Sequence, residues 1–264
     1  TEDEFAKYAG IHNLNEDVIR NSYDAVFHLV TSADGAEEYY GKETNIFRRE
    51  ESLEKAREVD TDVMAVWTGT PHLRIIDNST DFDTKLKRLL KEVVAFLGIP
   101  KPLEIERKFL IEYPDIEFLN SIKTCRRIPI TQAYLTTPEE GYFRIRKRGE
   151  GDKAVYIKTV KIKISDIKRI EIENYISKEQ YDSYLAQRQY VTGVISKDRY
   201  CIVDNNTYYE LDVYPFWNDR ATIEIELLSE DQRYQLPKFV KLIREVSSEP
   251  DYRNLALAQK YGKP

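Results

Sequence analysis

Leu103-Glu104-Ile105-Glu106-Arg107-Lys108-Phe109 sets ionised and apolar side chains in two-residue alternation. Side chains on a strand point alternately to its two faces, so Glu104, Glu106 and Lys108 share one face while Ile105 and Phe109 occupy the other. The same spacing returns in Arg144-x-Arg146-x-Arg148, Arg169-x-Glu171-x-Glu173, Lys197-x-Arg199, Glu210-x-Asp212 and Glu224-x-Glu226. Phe143, Ile145, Ile170, Ile172, Leu211, Val213, Ile223 and Ile225 fill the alternate positions. One such pair is an ordinary solvated strand face. A series of them, mixing acids with bases and nearly free of Ser, Asn and Gln, predicts a closed sheet lined with charge.

The charged positions comprise the bases Lys108, Arg144, Arg146, Lys161, Arg169, Lys197 and Arg199 and the acids Glu104, Glu106, Glu171, Glu173, Glu210, Asp212, Glu224 and Glu226. Acids crowded inside a barrel repel one another strongly once removed from water. Divalent cations relieve that repulsion, and hard Mg²⁺ or Mn²⁺ prefers carboxylate oxygen. Two such ions would bring the set to about +3, matched to a polyphosphate. Arginine forks grip phosphate oxygens in pairs, and lysines act as point charges.

Two textures meet near Gly98-Ile99-Pro100-Lys101-Pro102, where a glycine and two prolines stop a helix. The pattern ahead of it predicts α/β layering: a strand at Ala25–Val30, a charged helix over 52–67, a strand at 73–77 and a helix over 83–97. Beyond residue 102, strands are expected at 103–111, 129–136, 141–148, 154–162, 167–175, 194–203, 207–214 and 221–228. Helices are expected at 178–190 and 236–246, with a short one near 252–261. Asp204-Asn205-Asn206 reads as a hairpin turn, and short turns between successive strands favour an antiparallel closed sheet. The fold class is α+β: an eight-stranded antiparallel β-barrel with external helices over 102–264, preceded by an α/β segment over 1–101.

Charged residues make up 33% of the 264, with a net charge of only -6, which excludes a generally basic nucleic-acid binder and charge-driven disorder. No apolar run reaches about 18 residues, so no membrane span is expected. No secretory signal opens the chain, and the expected location is cytoplasmic. Cys125 and Cys201 lie far apart in no metal-ligand spacing, as reduced buried thiols would.

At these residues the chain resembles the CYTH superfamily, the triphosphate tunnel metalloenzymes. Glu104-x-Glu106-x-Lys108 is similar to its name-giving first strand. The Arg144-x-Arg146, Thr159-x-Lys161, Arg169-x-Glu171-x-Glu173, Lys197-x-Arg199, Glu210-x-Asp212 and Glu224-x-Glu226 strands follow in the family's order. Glu245-Val246-Ser247-Ser248-Glu249-Pro250-Asp251-Tyr252-Arg253-Asn254 resembles its C-terminal signature, with Ser247 where Thr is usual.

The resemblance implies a small-molecule triphosphate as substrate, hydrolysed with Mg²⁺ or Mn²⁺. It implies metal ligation by Glu104, Glu106, Asp212, Glu224 and Glu226, and triphosphate binding by Lys108, Arg144, Arg146, Lys161, Arg169, Lys197 and Arg199. Catalytic roles would fall to Lys108, Glu171, Glu173 and Arg199, with Glu171 and Glu173 either binding metal or orienting the bases. Lys158, of opposite parity, is expected to be exposed. A nucleotide cyclase, a non-catalytic polyphosphate sensor and a kinase with its phosphate loop elsewhere are the competing readings.

Residues 20–100 resemble the later half of a P-loop NTPase-like domain of the AAA type, which implies a nucleotide there. Tyr23–Leu29 would be a sheet strand, Asn45-x-x-Arg48 and the helix after it a lid, and Trp67–His72 the approach to the last strand. No Gly-x-x-x-x-Gly-Lys-Ser/Thr occurs, so the phosphate loop lies upstream of Thr1 or is absent. Arg48 and Arg49 read either as lid arginines or, the stronger reading, as an exposed basic corner, His28 as a core histidine and His72 as a loop residue.

Overall fold

The computed structural model describes residues 7–8, 10–12, 14, 16–41, 52–98, 103–137, 141–187, 193–227 and 229–263. The lid reading at Asn45–Arg49 lies outside them. So do residues 99–102, where the two textures meet.

The N-terminal part begins with a short helix, α1 (Glu16–Asn21), and strand β1 (Val26–Leu29). Helix α2 (Leu53–Trp67) follows, then β2 (Leu73–Ile76) and α3 (Phe82–Phe96). The Ser52 hydroxyl accepts from the Lys55 amide at the start of α2, and the Asp81 carboxylate accepts from that of Thr84 at the start of α3. Both satisfy donors that a helix leaves free at its first turn. β1 and β2 pair in parallel, as a strand–helix–strand crossover requires. Buried Lys85 donates to the Val30 carbonyl at 2.7 Å and to Asn78 Oδ1 at 2.6 Å, tying α3 to the end of β1. His28 is buried as expected, with Nε2 3.3 Å from Asp60 Oδ2 on α2.

The barrel is built from β3 (Leu103–Glu112), β4 (Cys125–Thr137), β5 (Gly141–Arg148), β6 (Val155–Lys163), β7 (Lys168–Ile176), β8 (Ile195–Asp204), β9 (Thr207–Val213) and β10 (Arg220–Leu227). They pair in the order β10-β9-β8-β4-β5-β6-β7-β3, and β10 pairs with β3 to close the ring. Asn205 and Asn206 take φ of 46° and 57° in the β8–β9 turn, the left-handed pair that a two-residue hairpin needs. Closure leaves an inside and an outside, with one open stretch of edge along the far half of β3.

The apolar faces point outward, and most are covered, although Ile162 of β6 and Ile172 of β7 stay exposed. Ile105, Phe109, Leu211, Ile223 and Ile225 form one core with Leu119 of α4 (Ile116–Ser121), joined by Leu236 and Phe239. Leu135, Phe143 and Ile145 form another with Tyr181 of α5 (Lys178–Ala186), whose Ser177–Gln180 capping box fixes its start. Leu257 and Ala258 of α6 (Asn254–Tyr261) pack with Tyr134, Ile195 and Tyr214 at one end of the barrel. Val30, Met64 and Leu73 dock on Val203 and Tyr208, bringing the N-terminal part to the other end. Among the described residues no helix is long and apolar enough to cross a membrane.

The expected helix at 236–246 does not form. Residues 242–245 are strand β11, which pairs with β3 at Phe109–Ile111. β7 reaches only Leu103–Ile105 of β3, so the far half of that edge offers unpaired amides and carbonyls. Satisfying them outweighs a weak helical period. Lys158 also departs from expectation: it is half-buried, with its ammonium 4.5 Å from the Phe143 ring centre and 3.3 Å from the Tyr184 hydroxyl.

Candidate functional site

Antiparallel register turns the sequence alternation into cross-strand partners inside the barrel. Glu224 stands opposite Lys108 and Glu210, and Glu226 opposite Glu106. Arg169 faces Glu104, Lys161 faces Glu171, and Thr159 lies between Glu173 and Arg144. Glu104, Glu106, Lys108, Arg144, Arg146, Lys161, Arg169, Glu171, Glu173, Arg199, Glu210, Glu224 and Glu226 all line a single cavity of about 1690 Å³.

Two candidates sit beneath that cavity instead of lining it. The Lys197 and Asp212 side chains are both 0% exposed and form an ion pair. Asp212 also takes the Arg199 fork, Nε to Oδ1 and Nη2 to Oδ2 at 2.7 Å each. Burial works against the charge on Asp212, yet Arg199 and Lys197 lower its pKa. Burial, with Arg199 beside it, pushes Lys197 down to about 7. This floor anchors Arg199, which reaches up to Glu210 and to Glu224 Oε2 at 3.0 Å. Lys108 Nζ lies 2.7 Å from Glu224 Oε1. Despite burial, Lys108, Arg199 and Lys197 hold the Glu224 carboxyl well below its usual range. The C-terminal motif supports this strand from behind, since the Ser247 hydroxyl accepts from the Lys108 amide at 2.9 Å.

A second cluster surrounds Arg169, whose guanidinium lies 2.5 Å from Glu106, 2.9 Å from Glu171 and 3.4 Å from Glu104. Lys161 pairs with Glu171, and Arg144 Nη2 donates to Thr159 at 3.0 Å and Glu173 at 3.1 Å. Burial raises Glu173, but the contact from His72 and the charges of Arg146 and Arg144 hold it well below the usual carboxylate range. Glu104 and Glu106 move the other way. Burial raises Glu104 well above its usual value, helped by Glu171, and burial raises Glu106, helped by Glu224.

Arg146 breaks the pattern of paired charges. Its Nε is buried without a hydrogen-bond partner, as is that of Arg144. Burial and the neighbouring Arg144 push Arg146 down to about 10. A donor buried without a partner costs free energy that an anionic ligand accepting from it would return.

Several residues with a place here carry no alternating signature. His72, at φ 52° just ahead of β2, comes within 3.6 Å of Glu173, and Arg74 of β2 lies 2.5 Å from Glu226. Buried Gln132 donates to the Tyr134 hydroxyl at 3.1 Å on the barrel wall. A base within Leu73-Arg74-Ile75-Ile76 was the one available sequence signal. The thiols play no part: burial, with Cys201 nearby, pushes Cys125 up to about 12.

A divalent cation fits the donor chemistry of the cavity. Glu104, Glu106, Glu224 and Glu226 offer hard oxygens along the cavity wall. Their oxygens are engaged with Arg169, Lys108, Arg199 and Arg74, and among the described residues no three acid, His or Cys groups converge as a ready-made metal site. Loading would therefore require the acids to exchange partners.

Residues 102–261 match the CYTH domain. Similar solved structures include the inorganic triphosphatase NE1496, 29% identical, covering 61% of this chain and 97% of that one at a TM-score of 0.39. The putative adenylyl cyclase HpAC1 from Hippeastrum, described as having a dominant triphosphatase activity, is 15% identical over 47% and 80% of the two chains at a TM-score of 0.30. The Pct1 RNA triphosphatase of S. pombe is 16% identical over 55% and 80% at 0.29. No curated protein matches. The match starts at residue 102 and does not extend to the N-terminal segment. With the family's domain spanning more than half of its length and its ordered charged strands closing into one barrel, this chain belongs to the CYTH family.

Proposed function

We propose that the barrel binds a linear triphosphate, inorganic or attached to an organic group, and hydrolyses it with the help of Mg²⁺ or Mn²⁺. The observation that carries this reading is Arg146, a half-buried guanidinium lining the cavity beside Arg144 and Lys161, with its Nε buried and orphaned. Three bases along one wall, each with capacity for phosphate oxygens, suit a chain of linked phosphates better than a single carboxylate.

Arg144, Arg146 and Lys161 hold the phosphate oxygens, while Lys108 and Arg199 neutralise charge developing on the transferred group and the leaving oxygen. Glu171 and Glu173 orient these bases. Carboxyls held so far down are poor proton acceptors near neutral pH, which argues against a general-base role. Glu104, Glu106, Glu224 and Glu226 would hold the divalent ion, which when bound neutralises the acids and polarises a phosphate oxygen. Asp212 and Lys197 serve from the floor by fixing Arg199. Water adds to the terminal phosphorus, the P–O bond to the remaining diphosphate breaks, and orthophosphate leaves.

We also read residues 1–101 as a P-loop NTPase-like segment preceding a tunnel domain at 102–264. The parallel β1–β2 pair and the helices α2 and α3 support that reading.

The direct test is phosphate release by the full chain from tripolyphosphate and organic triphosphates with Mg²⁺, Mn²⁺ or Ca²⁺. Release that requires Mg²⁺ or Mn²⁺ is the expected result. A cyclic nucleotide product would assign the cyclase reading. Tight binding with no turnover under any ion would leave a sensor.

A further inference from the structure

Glu226 and Glu106 stand directly opposite each other in the β10–β3 register, an arrangement of like charges that disfavours the pairing. Each carboxylate has its own arginine at 2.5 Å. Glu106 uses Arg169 of the barrel, whereas Glu226 uses Arg74, which comes from outside it. Among the described residues Arg74 is the one cation within ion-pair distance of Glu226. The backbone that carries it is fixed: Leu73 beside it is 1% exposed against Val203 and Tyr208.

Arg74 also has a second acid behind it. Its Nε lies 3.4 Å from Glu92 of α3, a side chain only 13% exposed, while Nη2 reaches Glu226. Burial works against the guanidinium charge, and Glu226, Glu92, Glu104 and Glu210 outweigh it. One guanidinium thus serves two carboxylates from different parts of the chain. A bridge that merely locked the parts together would need only one of them. With Glu92 retained, the fork can release Glu226 and still be neutralised.

We propose that Arg74 is a working residue of the cavity: anchored by Glu92, it exchanges Glu226 for a phosphate oxygen of the bound polyphosphate. This rests on the triphosphate reading above. The exchange makes the binding site composite, completed by the segment ahead of the barrel. It also frees Glu226 beside Glu106 at the moment when the polyanion brings in a counter-ion.

Tripolyphosphate binding to the full chain, measured by calorimetry in metal-free buffer, tests the exchange without relying on turnover. Arg74→Ala is expected to weaken binding about tenfold or more, and Arg74→Lys, which keeps charge but loses the fork, by a smaller factor. The lysine variant supplies the answer if the alanine variant does not fold. Arg146→Ala is the control for the parent reading. Wild-type affinity in both Arg74 variants, with binding lost in Arg146→Ala, would make Arg74 a structural clamp and overturn the exchange alone. Wild-type affinity in all three would overturn the triphosphate reading with it.

Discussion

At the scale of single residues, the barrel separates charges that are held from charges that are waiting. Asp212 holds two cations, Lys197 and Arg199, beneath the cavity, whereas Arg146 has an orphaned Nε and feels the like charges of Arg144 and Arg199 as well as the acids Glu173 and Glu210. The two should respond oppositely to truncation. Arg146→Ala is expected to weaken tripolyphosphate binding about 10- to 100-fold, some 1.4–2.8 kcal/mol, while leaving the melting temperature unchanged or raised. Asp212→Ala strands Lys197 and leaves Arg199 with Glu210 and Glu224 alone, and should cost stability on the order of 3–5 kcal/mol, read from denaturant unfolding. A melting temperature that fell as far in the Arg146 variant would mean that its charge is paired.

At the scale of elements, the contact between the N-terminal part and the barrel turns on a short loop between α2 and β2. Gly69 takes φ 89°, and a Cβ there would stand 2.9 Å from Arg126 Cδ and 3.0 Å from Ile128 Cδ1. Its carbonyl also accepts from buried Arg148 at the end of β5. Only glycine adopts this backbone without cost while letting the loop approach the barrel so closely. Gly69→Ala is expected to cost about 1–3 kcal/mol. The loss should appear as faster amide exchange in β2 and α3, with barrel strands such as β8 and β9 less affected. Uniform destabilisation of all strands would mean that the loop is integral to barrel folding.

At the scale of the whole molecule, the enclosed charge network couples stability to pH. Glu173 and Glu224 titrate well below the unfolded value, and Asp212 is lowered as well. A depressed carboxyl stabilises the fold above its unfolded pKa, near 4, and that contribution is lost as pH falls through the folded value. Raised Glu104 and Glu106 act in reverse: their contribution is present below about pH 4 and is lost as pH rises through their folded values. The lowered carboxyls, held by close arginine and lysine pairs, should dominate. Melting temperature is therefore expected to fall steeply below about pH 4, and Glu173→Gln should flatten that acid limb. An unchanged slope in that variant would show that Glu173 gains nothing from its neighbours.

What the sequence determined by itself was the sorting of side chains between two surfaces. Period-two alternation is a property of any strand, so Ile223 and Ile225 had to leave the face that Glu224 and Glu226 share, and the barrel strands were legible to within a few residues. Depth and partnership were decided only by the tertiary structure. Strand stagger set Asp212 and Lys197 in the floor while Glu224 and Arg199 line the cavity above it. The half-free edge of β3 turned residues 242–245 into a strand where a local period favoured helix. Docking of β2 brought Arg74 to Glu226, 152 positions along the chain. Alternation is written between neighbours in the chain, but closure, stagger and docking depend on distant backbone groups finding partners, and no short stretch encodes those.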